Sequence, residues 1–210
     1  MKHLEIPFLQ PLHRTSPVEE VFASLNALQR HRIDNAPWPE YAYVPKVEFS
    51  IAHGKDCIFL KYYVEEEVVK ASYYQPDDPV YKDSCVEFFI AFDGEAYYNL
   101  EFNALGTCKL NFGKNRDERV VISDKLVKTI RNYSTVKKAG STIQWEMCLI
   151  IPGEVFSQHA ITSFLGRSCK ANFYKCGDDL PTPHFLCWNR VETPAPDFHA
   201  PKYFGDIMFL

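Results

Sequence analysis

Alternation of apolar and polar residues is the dominant pattern along this chain. From Val47 to His53, apolar and small or polar side chains alternate, Gly54-Lys55-Asp56 supplies a turn, and the run from Cys57 to Glu65 follows. That pattern predicts two consecutive strands. Further strands are expected at 68–74, 84–92, 97–103, 107–112, 126–132, 142–150, 170–176, 185–189 and 206–209. One segment has a different period. Val18, Val21, Phe22, Leu25 and Leu28 recur at helical spacing, with Ser16 placed as N-cap, Pro17 at the first helical position and Glu19 completing a capping box. This helix is expected to end near 30–32, where basic side chains suit the carbonyl end of the helix dipole. Its apolar stripe is expected to pack on a sheet. A short helical turn is expected at 153–158.

Many short strands, no internal repeat and no dividing linker predict an all-β chain. The expected architecture is one antiparallel β-sandwich domain over residues 1–210, with 1–32 as an N-terminal extension carrying a helix that packs on it. Strand parity then assigns faces. Val86, Phe88 and Ile90 share one side, and Cys85, Glu87 and Phe89 the other. In the next strand Tyr98, Leu100 and Phe102 are apolar, opposed by Asn99, Glu101 and Asn103, and Asp93-Gly94-Glu95-Ala96 joins the two strands as a hairpin. Lys109 and Asn111 extend the polar side, and Lys170, Asn172 and Tyr174 alternate with Ala171 and Phe173. An antiparallel sheet commonly leaves such a polar face in water. This one, however, carries amides and carboxylates where ordinary solubility would supply mixed Lys and Glu. Amides and carboxylates can hold vicinal hydroxyls and aromatic rings can cover the C–H face of a sugar, so the face also suits a glycan platform.

Composition narrows the classes. The 210 residues include 46% hydrophobic and 24% charged residues, a globular balance, and no apolar run is long enough for a membrane-spanning helix. A net charge of −4 provides no basic field for nucleic acid. Aromatic residues reach 15%, which favours strands and supplies flat surfaces for a ligand. Residues 1–7 lack the features of an export signal, and the seven dispersed cysteines form no C-x-x-C pair, so reduced core thiols and a cytoplasmic location are expected. Neither nucleic-acid nor membrane partners are expected.

Other chemistries find little support. The histidines show no helical i, i+4 pair, and no nucleophile elbow, P-loop or dinucleotide fingerprint occurs. No cofactor is expected. Asp77-Asp78 and Asp178-Asp179 are turn formers that could also contribute to a structural calcium site. Glu87 and Glu101 are candidate paired carboxylates, since neighbouring strands can deliver the ~5–5.5 Å or ~6.5–9.5 Å separations that glycosidases use. A glycoside-processing enzyme therefore stands as an alternative, although no orienting base is visible.

The run Asp83-Ser84-Cys85-Val86-Glu87-Phe88-Phe89-Ile90 resembles the D-S-x-V-E-x-F-(I/V) strand of family-9 carbohydrate-binding modules. Tyr97-Tyr98-Asn99-Leu100-Glu101-Phe102-Asn103 follows as that family's Asn-rich strand does. The likeness continues through Asn172 to Asp178 and Phe185 to Trp188, and ends on the stretch from Pro196 to Gly205. Upstream, Ile33-Asp34 with Trp38 is similar to the family's opening segment. This resemblance implies a sandwich related to the DOMON-type fold, without catalysis, that binds a mono- or oligosaccharide between two aromatic platforms in the context of xylan-type polysaccharide catabolism. By position, Glu87 matches the family's ligand-binding glutamate, Tyr81 or Val80 falls at the first platform and Phe198 at the second. Glu101 stands where the family often has a basic residue, and both platforms depart from the family's tryptophan. Trp38 and Trp188 are expected in the core. The expected binding set is Tyr81, Glu87, Asn99, Glu101, Asn103, Asn172, Lys175 and Phe198. A sandwich that has lost its sugar site is the remaining alternative, recognisable by a filled groove between Tyr81 and Phe198.

Overall fold

The computed structural model describes residues 1–94 and 96–210; Glu95, in the expected hairpin connection, lies outside the described residues. The elements in the first half are β1 (His3–Ile6), α1 (Val18–Asn26), β2 (His31–Arg32), β3 (Lys46–His53), β4 (Cys57–Glu66), β5 (Cys85–Ala91) and β6 (Tyr97–Asn103). The second half adds β7 (Cys108–Gly113), β8 (Arg119–Val121), α2 (Asp124–Val127), β9 (Arg131–Ala139), β10 (Thr142–Pro152), β11 (Ser168–Cys176), β12 (Phe185–Cys187) and β13 (Gly205–Phe209). One sheet runs β1-β13-β11-β5-β6-β7-β8, with β12 also paired to β11, and the other runs β2-β3-β4-β10-β9. Every pairing is antiparallel except β1 with β13, which is parallel. Residues 3–6 therefore complete the larger sheet and are part of the sandwich rather than an appendage to it.

Alternation places the main core between the sheets. Val86, Phe88 and Ile90 of β5 and Tyr98, Leu100 and Phe102 of β6 face Phe49, Leu60 and Trp145 across it, all fully buried or nearly so. Phe49 stacks on Phe173 with centroids 3.8 Å apart, tying the two sheets at their centre. Each such side chain contributes about 1.5–3 kcal/mol relative to leaving it in water. The outer face of the five-stranded sheet is covered by α1, whose Val21 and Leu25 pack on Ala52, Phe59 and Ile150.

The outer face of the larger sheet is not left in water. Loops carrying Trp38, Val80, Val191, Phe198 and Phe204 fold over Cys85, Phe89, Tyr97 and Tyr174 to form a second core. Trp38 and Trp188 are both buried. Every residue of β5 and β6 is buried, so the polar side of this hairpin is an interior surface.

Several local expectations are corrected. Residues 68–74 form no strand: Ser72 and Tyr73 donate their amides to Asp83 Oδ2 and Lys70 donates to Ser84 Oγ, so side chains rather than a ladder satisfy this backbone. Residues 126–132 are not one strand. Leu126 and Val127 close a helical turn on the Ser123 carbonyl, and β9 begins only at Arg131. Helix α1 starts on Pro17 without a side-chain cap, because the Ser16 hydroxyl accepts from the His13 amide instead. It ends at Asn26, whose side chain leaves the helix to accept from Lys61 Nζ at 2.7 Å. The expected turn at 153–158 is a single 3₁₀ turn, Gly153–Val155.

Candidate functional site

A row of four side chains crosses the outer face of the larger sheet. Tyr174 on β11 stands opposite Glu87 on β5, Glu87 opposite Glu101 on β6, and Glu101 opposite Lys109 on β7. Strand parity delivers all four to one side, and the covering loops leave a cavity of about 390 Å³ above Glu87, Glu101 and Lys109. Such a volume lies toward the small end of the ~300–1,000 Å³ usual for small-molecule sites.

The floor is acidic, buried and incompletely partnered. Glu87 accepts a hydrogen bond from the Cys176 thiol at 3.2 Å, and its own carbonyl accepts from Tyr62 Oη at 2.8 Å, locking β5 to the inner core. Glu101 Oε1 accepts from Asn99 Nδ2 at 2.8 Å, whereas its Oε2 is buried with no hydrogen-bond partner. Burial, and then the neighbouring Glu101, push the Glu87 carboxyl well above the usual carboxylate range. Glu101 is pushed up to about 7, chiefly by burial, with Asn99 and Lys109 pulling it partly back. Asp178, also on the cavity wall, is raised to about 6 by burial and by Asp179. A buried carboxyl lacking a partner carries a desolvation cost that a ligand hydroxyl can offset.

Aromatic residues build one side of the cavity. Phe198 is backed by Tyr174, with parallel rings 4.1 Å apart, and by Trp38 at 5.9 Å. Tyr81 and Phe185 also line the cavity. Of the two first-platform candidates, Tyr81 reaches the cavity while Val80 is fully buried in the second core. The groove between Tyr81 and Phe198 is open.

Cations form the rim. Lys109 pairs with Asp77, Arg116 bonds Asp197 at 3.2 Å, and Arg119 Nη1 is buried without a partner. His199 is held neutral, pulled down to about 3 by burial and then by Arg119, and its Nδ1 meets Tyr97 Oη at 2.9 Å.

Four of the expected binding residues do other work. Asn99 sits behind Glu101 and orients it. Asn103 accepts from the Leu105 and Thr107 amides and donates to Asp83, so it holds the β6–β7 turn. Asn172 bonds the backbone of Asn189 at 2.8 Å in both directions and fixes the bend after β12. Lys175 points to the opposite face of the sheet, where it pairs with Glu66 at 2.9 Å in the main core; its parity with Phe173 is the reason. The expected set also omitted Lys109, which cross-strand register alone brings beside Glu101. It further omitted Arg116, Asp178 and His199, which come from turns and loops, and Arg119, which opens the three-residue strand β8; none carries a periodic signal. For calcium, Asp78 is engaged by the Tyr74 and Gln75 amides, and Asp179 pairs with Lys82 while Asp178 faces the cavity.

A sandwich whose outer sheet face is roofed over a carboxylate-floored, aromatic-walled cup is the architecture of a small-ligand binding protein. The model of carbohydrate-binding family 9 matches residues 18–209, and the chain belongs to that family. Among solved structures, it is similar to a Bacteroides uniformis protein that carries a provisional description as carbohydrate-binding. That likeness has 33% identity, covers 100% of this chain and 99% of the other, and has a TM-score of 0.93. A family-9 module from Caldicellulosiruptor kristjanssonii in complex with cellotriose shares the fold at 12% identity, with 99% and 93% coverage and a TM-score of 0.58. A module of the same family and organism in complex with glucose has 12% identity, 100% and 96% coverage and a TM-score of 0.55. No curated protein matches the chain.

Proposed function

We propose that this protein binds carbohydrate without transforming it, taking a mono- or short oligosaccharide into the cup above Glu87 and Glu101. The observation that carries this reading is the unpartnered, buried Glu101 Oε2 beside Glu87 on the floor of an open cavity with Phe198 at its side. Sugar hydroxyls would satisfy the carboxyls and the guanidinium of Arg119, and a pyranose face would lie against Phe198 or Tyr81. Family membership and the glucose and cellotriose complexes of the two Caldicellulosiruptor modules support the same ligand class. Products of plant-type polysaccharide breakdown are the natural first candidates on that ground.

Catalysis has less behind it. Glu87 and Glu101 rise side by side from one sheet face, whereas a glycosidase needs its two carboxyls to flank the scissile bond. Isothermal titration with glucose, cellotriose and a panel of short oligosaccharides tests the reading. Saturable binding of at least one sugar, lost in Phe198→Ala, is expected. A folded protein that binds none of the panel at millimolar concentration would overturn it.

A further inference from the structure

Cys85 and Cys176 stand directly opposite each other on β5 and β11, and Glu87 follows Cys85 by two residues on the same face. Their three potential ligand atoms, two sulfurs and one carboxylate oxygen, all lie within 4.8 Å of one another. We propose that these three side chains form a site for one thiophilic divalent cation of the zinc or cadmium type, set into the floor of the cavity.

The donor set selects the ion. Two thiolates and a carboxylate favour a borderline or soft cation over calcium or magnesium, which take oxygen ligands. Three protein ligands rather than four leave one coordination position, and it faces the cavity because Cys176 and Glu87 both line it. The other five cysteines are buried and none of them lines the cavity. The hydrogen bonds here are weak and replaceable: the single S–H of Cys176 has Glu87 Oε1 at 3.2 Å and the Tyr81 carbonyl at 3.5 Å as alternative acceptors. Binding exchanges protons for the ion, with one proton leaving each thiol and one leaving Glu87 if it is protonated, and no electron transfer. Two thiolates and one carboxylate around a doubly charged ion leave one net negative charge, which the Lys109, Arg116 and Arg119 rim can balance.

The site stands on its own geometry and does not depend on sugar binding, although both uses draw on Glu87. The test is a titration of the reduced protein with cadmium, followed by thiolate-to-cadmium charge-transfer absorption. One equivalent is expected to saturate the signal, Cys85→Ser and Cys176→Ser to abolish it, and Glu87→Gln to weaken binding at least tenfold. Cys148→Ser, in the separate core beneath α1, should leave the signal unchanged. An independent reading uses the wild-type chain only: cadmium should shield Cys176 from alkylation, scored by peptide mass spectrometry. Absent absorption, a signal that survives in Cys176→Ser, or unshielded Cys176 would each overturn the site. Sugar titration in the presence of a chelator reports separately on carbohydrate binding.

Discussion

Lys175 and Cys176 are consecutive in β11 and look into two different buried charge clusters. On the Lys175 side, its Nζ meets Glu66 Oε2 at 2.9 Å and donates to His184 Nε2 and to the Cys176 carbonyl, each at 2.8 Å. Glu66 Oε1 accepts from Trp145 Nε1 at 2.6 Å, and His184 Nδ1 donates to the Thr182 carbonyl. Burial and then Lys175 pull His184 down to about 3, which keeps the ring neutral, so its Nε2 accepts a hydrogen bond from the lysine ammonium. On the Cys176 side, Glu87 and Glu101 face each other with raised pKa values and one oxygen of Glu101 without a hydrogen bond. Both clusters are desolvated and each leaves one carboxylate oxygen without a hydrogen bond. Glu66 Oε2, however, has the Lys175 ammonium 2.9 Å away as its ion-pair partner, whereas no cation pairs with Glu101 among the described residues. The difference separates architecture from binding: a buried charge with its partners in place holds the sandwich, and one left short beside a cavity can be completed by a ligand.

The largest expected effect falls on the ion-paired cluster. Lys175→Met strands Glu66 in the core and should cost about 3–5 kcal/mol in urea unfolding, because removing one member of a buried pair leaves the other charge uncompensated. Adding Glu66→Leu should restore most of that loss, since apolar replacement of a whole buried pair is often neutral. A single-variant loss below about 1 kcal/mol, the size of an average substitution, would break the distinction between the two sides of β11.

The cluster without an ion pair should respond in the opposite way. Glu87→Gln removes a buried acid that has a neutral thiol for its donor, so thermal stability should hold or rise. Sugar affinity should fall roughly 10- to 100-fold, the worth of about 1.5–3 kcal/mol for a hydrogen bond to a charged group. Calorimetric titration beside a melting curve reads both. A variant that loses stability while keeping affinity would reassign Glu87 to the framework.

Glu101 gives the comparison a pH axis. Its carboxyl is raised from 4.5 to about 7 on folding, so its proton is held more tightly in the folded chain. The associated stabilisation is full below about 4.5 and is lost as pH rises through 7. His184 and His199 are lowered from 6.5 to about 3, so their contribution runs the other way: present above 6.5 and lost on acidification. Wild type therefore carries opposing slopes, and Glu101→Gln removes only the acid one. The variant should be more stable than wild type by up to about 3 kcal/mol at pH 8, with the gap closing by pH 4. Urea unfolding at three pH values measures this, and a gap independent of pH would show that Glu101 titrates normally.

Much of this frame was legible in the chain. Period-2 alternation identified β3 to β6, and the motif around Glu87 pointed to the floor of the cup. Alternation shows that a strand has two faces, but not what covers each of them. The polar side of β5 and β6 reads as a surface until loops distant in sequence roof it over, as Phe204 does above Phe89. Residue type misled at Asn103 and Asn172, where amides suited to sugar hydroxyls satisfy backbone groups instead. Parity was sufficient to exclude Lys175, whose neighbour Tyr174 lies on the cavity side. The Cys85–Cys176 meeting depends on the register of two strands far apart in sequence, which no local spacing encodes.

The smallest effect belongs to the rim. Arg116 is more than half exposed and its bond to Asp197 at 3.2 Å joins the β7–β8 turn to the loop that carries Phe198. An exposed ion pair is screened and typically contributes less than about 1 kcal/mol. Arg116→Ala should therefore leave unfolding unchanged and weaken sugar binding by under about fivefold, and the weakening should shrink further as salt rises. Titration at low and high ionic strength checks this. If Arg116→Ala instead cost as much affinity as Glu87→Gln, the ligand would be held from above by the guanidinium rather than from below by the carboxyls. An acidic sugar would then be the better match for the cup.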